Sequence, residues 1–507
     1  MIRDRPLWLL LAAALGVRLL VMPLPDPFDA DLTTFWLPWM TYGAEHGLAQ
    51  LYQSGQPLVN YPPLYLTLLV GLGKLYGLLI PSFEYTPLQS ALVKLPAVAA
   101  DLAITLLLYT AARQVVRQPI TTKKAVPPTV IAGRAADEAI SRPGSEIASP
   151  QTARSDDGAQ TARNDDGPQT ARNDDGAQTA RNDGGFPLLA AGLWALNPAI
   201  IYVSAYWAQV DSIHTLWMLA ALLAALGRRW GWSGLLMGLA LLTKLHAIVL
   251  LPLLLALAWR DGRRAVAWGA LGLGGTLALG LLPFLFNGAL DNVLAVYFGA
   301  VGFYPKLSVN AFNGWFLLQA LSAQLFNREL LDTARVVGPI TLRWVGLGLL
   351  GGYTALLLWL LWPQLKPSRP IVAETAPDRA WLTPAARLLV FFAAGLLVFG
   401  FFSLATEMHE RYGLPALAFL ALPAARYRRV LLPYLLLTAV WSFNLLRMLP
   451  WGPGVFNLIQ SIPGDRLLMS LASVTLFIWL TLLYLGVARK QPWAMQAGPA
   501  PSGNRDA

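Results

Sequence analysis

Long apolar runs separated by short polar breaks dominate the chain. They lie near residues 6–25, 88–112, 186–206, 212–227, 233–258, 265–287, 338–362, 385–405, 413–425, 430–446 and 468–488. A bilayer core about 30 Å thick requires about 20 apolar residues of each spanning helix. The pattern therefore predicts an all-α polytopic transmembrane helical bundle with about 11 to 13 crossings. Two runs disturb simple alternation: 61–81, which opens with Tyr61-Pro62-Pro63, and 233–258, with Thr243-Lys244-Leu245-His246 at its middle. Both are expected to be broken or hairpin helices, because irregular backbone at membrane depth is tolerated only under cover of protein or water.

The charges orient the bundle. Arg3 and Arg5 precede the first run and place the N-terminus in the cytoplasm. That run lacks a small-residue cleavage site, so it is expected to be a retained span. Residues 26–60 contain Asp26, Asp29, Asp31 and Glu45 but no Lys or Arg, and so form a long first external loop. Basic groups at 113–124, 228–229, 260–264, 366–379, 426–429 and 489–490 mark cytoplasmic loops. The polar clusters left over then fall on one outer face. They are Asp29 and Asp31, Trp207 to His214, Tyr304 to Trp315, and Glu407 to Arg411; Lys244 and His246 join them if their run is a hairpin.

Composition sharpens this picture. Of 507 residues, 56% are hydrophobic and 13% charged, far below the quarter or so usual in soluble domains. Mean hydropathy is +0.50. The net charge of +10 sits beside the apolar runs, which is a topology signal and gives no reason to expect nucleic acid. The chain has no cysteine, which excludes disulfides, thiolate metal sites and cysteine nucleophiles.

Residues 118–185 differ from the rest. A nine-residue unit recurs as QTARSDDGA, QTARNDDGP, QTARNDDGA and QTARNDGGF. It holds too little apolar surface to fold, and a disordered cytoplasmic insertion is expected. The chain thus divides into 1–117, with its external loop 26–60; the insertion 118–185; the rest of the membrane core, 186–425; and C-terminal spans with a short tail, 426–507.

Each polar cluster also has a plain explanation. Asp211 suits a helix N-terminus, Lys244 can snorkel to an interface, and Arg411 can pair with Glu407 or Glu410. Lys94 and Asp101, seven residues apart on one helical face, suggest an intramembrane pair. Together, however, acids and cations on one face describe a site. Its carboxylates could act as general base, and Lys, His and Arg could stabilise a phosphate. No ligand spacing such as HExxH is present, and no metal or other cofactor is expected.

In order, the acidic first loop, NYPPLY, KLPAVAADL, WAQVDSIH, LLTKLHAIVLLP, SVNAFNGW and EMHERYGLPAL resemble the GT-C membrane glycosyltransferases over residues 1 to about 425, the insertion excepted. The nearest branch holds the glucosyltransferases that extend dolichol-linked glycans, with their bacterial relatives. The resemblance implies inverting transfer of a hexose from a polyprenyl-phosphate donor to a lipid, glycan or protein acceptor, without a metal. It places the protein in the plasma (inner) membrane with its site on the outer face. The eukaryotic enzymes carry an aspartate base directly before YPP, where this chain has Asn60, an amide that cannot take the proton. The DLTTFW spacing of the bacterial relatives instead suggests Asp31 as base, with Asp29 beside it. The resemblance further assigns His409, Arg411 and Lys244 to the donor phosphate, and Asp211, Gln209, Asn60 and Tyr61 to the substrate pocket. A transporter, flippase or glycan ligase with the same polar groups is the alternative.

Overall fold

The computed structural model describes residues 4–24, 31–55, 59–116, 174–365 and 381–489, with side chains from residue 185 onward in the helix Asp174–Ala195. The fold is all-α and polytopic, so the chain is a multi-pass membrane protein. Six helices among the described residues are long and apolar enough to cross a membrane: Pro87–Val116, Arg263–Phe286, Leu342–Leu365, Pro384–Leu404, Arg428–Met448 and Asp465–Arg489. The pair Gly185–Ala195 and Pro198–Tyr206, bent by 42°, makes a seventh if it is one span. Pro384–Leu404 is the central helix, enclosed by its neighbours over most of its length. Nearly every side chain from Leu388 to Phe402 is buried.

The expected count of about 11 to 13 crossings is not what the lengths give. Four apolar helices, Pro63–Leu79, Asp211–Leu226, Trp230–Thr243 and Pro415–Arg426, have 10–17 residues and fall short of a full span. The apolar runs are there, but polar or irregular backbone cuts them. The run 233–258 breaks as expected: Trp230–Thr243 ends at Lys244, which is extended (φ −159°, ψ 126°), and a 3-10 turn, Leu245–Leu250, leads into Leu251–Asp261. Pro252 stands in the first turn of that last helix, where its missing N–H costs no helical hydrogen bond.

The run 61–81 behaves differently from expectation. It is one continuous helix, Pro63–Leu79, and it packs on the external-loop helix Leu37–His46. A side chain at Gly73 would meet the Met40 carbonyl at 2.4 Å, and one at Gly43 would meet Val70 Cγ2 at 2.4 Å. The glycines therefore let two backbones touch. A helix that docks on its own loop need not cross the membrane, so the next one, Pro87–Val116, can run back toward Arg113. The alternation problem thus has a packing answer and needs no hairpin.

The first loop carries the helices Leu37–His46 and Leu48–Gln53 after a π-helical turn, Leu32–Trp36. Trp36, Trp39, Tyr65 and Phe284 belong to the apolar cluster that fastens this loop to the bundle. The expectation for 118–185 falls mostly outside the described residues. At its C-terminal end the helix Asp174–Ala195 already begins inside the repeats, because extending a nucleated helix costs little per residue.

Deep in the bundle, Arg18 Nε donates to Asp101 Oδ2 at 2.8 Å, and Ser204 Oγ donates to the same oxygen at 2.6 Å. Lys94 Nζ donates to the Met22 carbonyl at 2.9 Å. Asp101 is thus paired with Arg18 and not with Lys94. Seven residues of helix separate Lys94 and Asp101 by about 10 Å along the axis, and Arg18 on the facing helix is nearer.

Candidate functional site

The four short helices each have one end at the same place. Tyr61 lies just before Pro63–Leu79, Asp211 opens Asp211–Leu226, Lys244 follows Trp230–Thr243, and Arg411 lies four residues before Pro415–Arg426. The polar residues collect there.

Local backbone aims the side chains. Asp211 sits in the first turn of its helix, where the dipole favours a carboxylate. Just before it, Ala208 has φ +59°, a left-handed conformation that costs a non-glycine residue free energy. That turn brings Trp207 and Gln209 to the first loop. Gln209 Nε2 donates to Asp31 Oδ2 at 2.6 Å, and Trp207 Nε1 donates to the same oxygen at 3.1 Å.

Asp211 is the hub. Lys244 Nζ lies 2.8 Å from its Oδ1, and Arg411 Nε lies 3.6 Å from its Oδ2. Arg411 also contacts Glu410, Nη1 to Oε1, at 2.6 Å. Aromatic faces surround the cations: Lys244 Nζ stands 4.9 Å from the Tyr412 ring centre and 6.0 Å from that of Tyr61, while the Arg411 guanidinium is 5.5 Å from Trp207. Burial raises the proton affinity of Glu410, but the His409 hydrogen bond and the Arg411 charge overcome it and hold the group at about 2. Glu410 is therefore an anion at neutral pH. Asp31, Asp211 and Glu410 thus gather around Lys244 and Arg411.

The structure thus brings Asp31, Gln209, Asp211, Lys244, Tyr61 and Arg411 together around one chamber, with Gln209, Asp211 and Lys244 buried and Asp31, Tyr61 and Arg411 half-buried. His409 stands at its edge, its ring 5.0 Å from both Tyr304 and Tyr412 and its Nδ1 3.8 Å from Glu410 Oε2. Asn60 directly precedes Tyr61 and is half-buried. Asp29 lies outside the described residues. Sequence reasoning named Glu410 as a possible partner of Arg411 and grouped His246 with the polar clusters, but gave no role to Tyr412 or to the pair His214 and His246, whose Nε2 atoms are 3.1 Å apart. Asp211 and His214 stand three apart on one helix, so they share a face; that spacing was the available signal.

Glu407 belongs to a second cluster. Arg343 Nε lies 2.7 Å from Asp332 Oδ2 and 3.1 Å from Glu407 Oε1. The backbone N–H groups of Gly302 and Tyr304 also donate to Glu407. Burial, followed by a hydrogen bond to Asp332 and its charge, raises Glu407 to about 7. Asp332 reads as an ordinary loop acid, whereas Arg343 lies inside the apolar run 338–362, where a lone charge was the available signal.

Carboxylates and an amide beside aromatic faces suit hydroxyl-rich and amine-bearing groups, and the paired cations suit an anionic ester. No curated protein matches the chain. The family model for the GPI transamidase subunit PIG-U does match, over residues 40–321. This is a different family from the GT-C glycosyltransferases, and it overturns the expectation of membership there. Hexose transfer, the enzyme reading, the polyprenyl-phosphate sugar donor and the transporter or ligase alternative all fall with it. Polar residues at the same helix ends of a membrane bundle are compatible with many functions, which is why motif order misled. The match takes in more than half of the chain, which belongs to the PIG-U family.

Proposed function

We propose that this chain is a membrane-embedded subunit of a GPI-transamidase-type assembly, and that its chamber holds the polar head of the glycolipid. The observation that carries this reading is the Asp31–Gln209–Asp211–Lys244–Arg411 arrangement, gathered where four short helices each have one end. A transamidase exchanges one amide for another and so needs an amine acceptor. The carboxyl groups and the aromatic faces can hold an ammonium, and the same rings offer faces to sugars. The chain has no cysteine to act as a thiol nucleophile. Its part is holding and orienting substrate while another subunit performs the exchange. The chamber faces away from the basic loops and hence away from the cytoplasm.

The test is lipid retention by the full chain in nanodiscs, read by native mass spectrometry. A glycosylphosphatidylinositol should outcompete phosphatidylinositol of the same acyl chains by about tenfold or more, a difference that two or three polar contacts can supply. Asp31→Asn and Lys244→Met should each erode that preference. Equal retention of the two lipids by the unaltered protein would overturn the head-group reading. Recovery from its native membranes only as a free 55.2 kDa chain would overturn the subunit reading.

A further inference from the structure

Two histidines meet at the inner wall of the chamber, and nothing derived so far uses them. His214 is fully buried on the first turn of Asp211–Leu226, and His246 follows Lys244 in the break between helices. Their Nε2 atoms are 3.1 Å apart, so at least one of the two must lack a proton. A straight N–H···N bond with both rings along it would set the ring centres more than about 5 Å apart. They are 4.7 Å apart, with the ring planes at 79°. The rings are therefore bent out of line with the N···N axis, as two imidazoles aimed at one ion would be. The separation is close to the edge of a tetrahedron, about 3.3 Å, that two imidazoles span at metal–nitrogen distances of about 2.0–2.1 Å.

A carboxylate stands beside the two rings. One ligand atom each from Asp211, His214 and His246 all lie within 4.8 Å of one another. Asp211 Oδ2 is buried and has no hydrogen-bond partner among the described residues; its nearest cation, Arg411 Nε, lies at 3.6 Å. The other oxygen, Oδ1, is held by Lys244. One oxygen is thus free to ligate while a neighbour orients the group through the second, as in well-built metal sites.

We propose that Asp211, His214 and His246 form a binding site for a divalent transition-metal ion of the zinc type. Two imidazoles and a carboxylate select zinc, cobalt, nickel or copper over magnesium and calcium, which prefer oxygen ligands. Three protein ligands leave the fourth tetrahedral position open toward the chamber, where a water or an oxygen or nitrogen of a bound head group can complete the shell. The site stands independently of what the chamber receives, because its ligands and their geometry do not depend on the lipid.

The chain holds only four histidines, which keeps the background low. The full chain, purified without a histidine tag and stripped with chelator, is titrated with Co²⁺ and then Zn²⁺. About one Co²⁺ per chain should bind with the visible bands of a tetrahedral nitrogen–oxygen site, and Zn²⁺ should displace it. His246→Ala should weaken binding at least tenfold, whereas His46→Ala, on the distant loop helix, should leave it unchanged. Size-exclusion profile and helical circular dichroism confirm that each variant is folded, and His246→Gln serves if the alanine variant is not. Absence of a stoichiometric Co²⁺ spectrum in the folded, unaltered protein overturns the proposal, as does a spectrum that survives both His246 variants. In that case the rings are a hydrogen-bonded pair alone.

Discussion

Lys244 has its ammonium beside one carboxylate, under two aromatic rings, and out of reach of bulk water. Removing one partner of such a pair is far worse than removing both, because a buried charge is left behind. Asp211→Asn strands Lys244 and Arg411 together, and should destabilise the folded protein by about 3–5 kcal/mol. Lys244→Met should cost less, since Arg411 still faces Asp211, and the double variant should be more stable than Asp211→Asn alone. Denaturant unfolding of the three variants in one detergent tests this, and strict additivity would refute the coupling. Glu407 offers a pH test. Its proton affinity rises from an ordinary 4.5 to about 7 on folding, so the folded state binds the proton more tightly. The resulting stability is present in full below pH 4.5 and is lost as pH rises through 7. Thermal midpoints should fall across that window in the unaltered protein, and Glu407→Gln should flatten the decline. Glu410 does the opposite, held near 2, with stability lost only as pH drops below its ordinary value.

Trp230–Thr243 and Arg263–Phe286 are joined backbone to backbone. A side chain at Gly234 would lie 2.0 Å from the Gly269 carbonyl oxygen, and one at Gly272 would lie 2.1 Å from that of Gly231. Close approach through small residues replaces the hydrophobic drive that lipid does not provide between helices. Gly234→Val should therefore lower stability by about 1–3 kcal/mol or more through overpacking. Gly274→Ala, on the same helix pair but with nothing within 4 Å, should be neutral or stabilising; equal losses from both would remove the packing argument. At this scale the sequence was partly legible. The break at Lys244 was readable because a charged residue interrupts an apolar run. The glycine spacing of GWSGLLMG was readable too, but only with a partner helix in view. The docking of Pro63–Leu79 on Leu37–His46 was not, since an apolar run looks the same whether lipid or protein covers it.

For the whole molecule, hydropathy gave the all-α membrane class, and charge gathered the polar clusters on one side. The fine structure of the chamber was hidden, because Asp31, Asp211 and Arg411 are far apart in sequence and only packing decides which of them touch. Two of the short helices, Asp211–Leu226 and Trp230–Thr243, are joined at their far ends through Arg228 and Arg229. If those arginines are cytoplasmic, the chamber is not. The absence of cysteine makes this directly measurable. Single cysteines placed at Ser54, near the chamber loop, and at Arg229 should react with a membrane-impermeant maleimide from opposite sides of sealed vesicles. Labelling of both from one side would reverse or abolish the assigned orientation.

The two-residue ladder between Ser308–Val309 and Met408–His409 is parallel. Parallel strands cannot be joined by a tight turn, and closing so long a loop carries a large entropic cost. Its partners lie on either side of Leu342–Leu361 and Pro384–Leu404, two helices that must already be in the bilayer before the strands can meet. Arg411 lies two residues past the second strand, so the chamber receives its second cation only when this ladder closes. A ribosome still working on residue 350 has already released the Asp211–Lys244 pair. For that interval the nascent protein carries a half-finished polar pocket within the lipid, the moment at which an insertase or chaperone has most to shield.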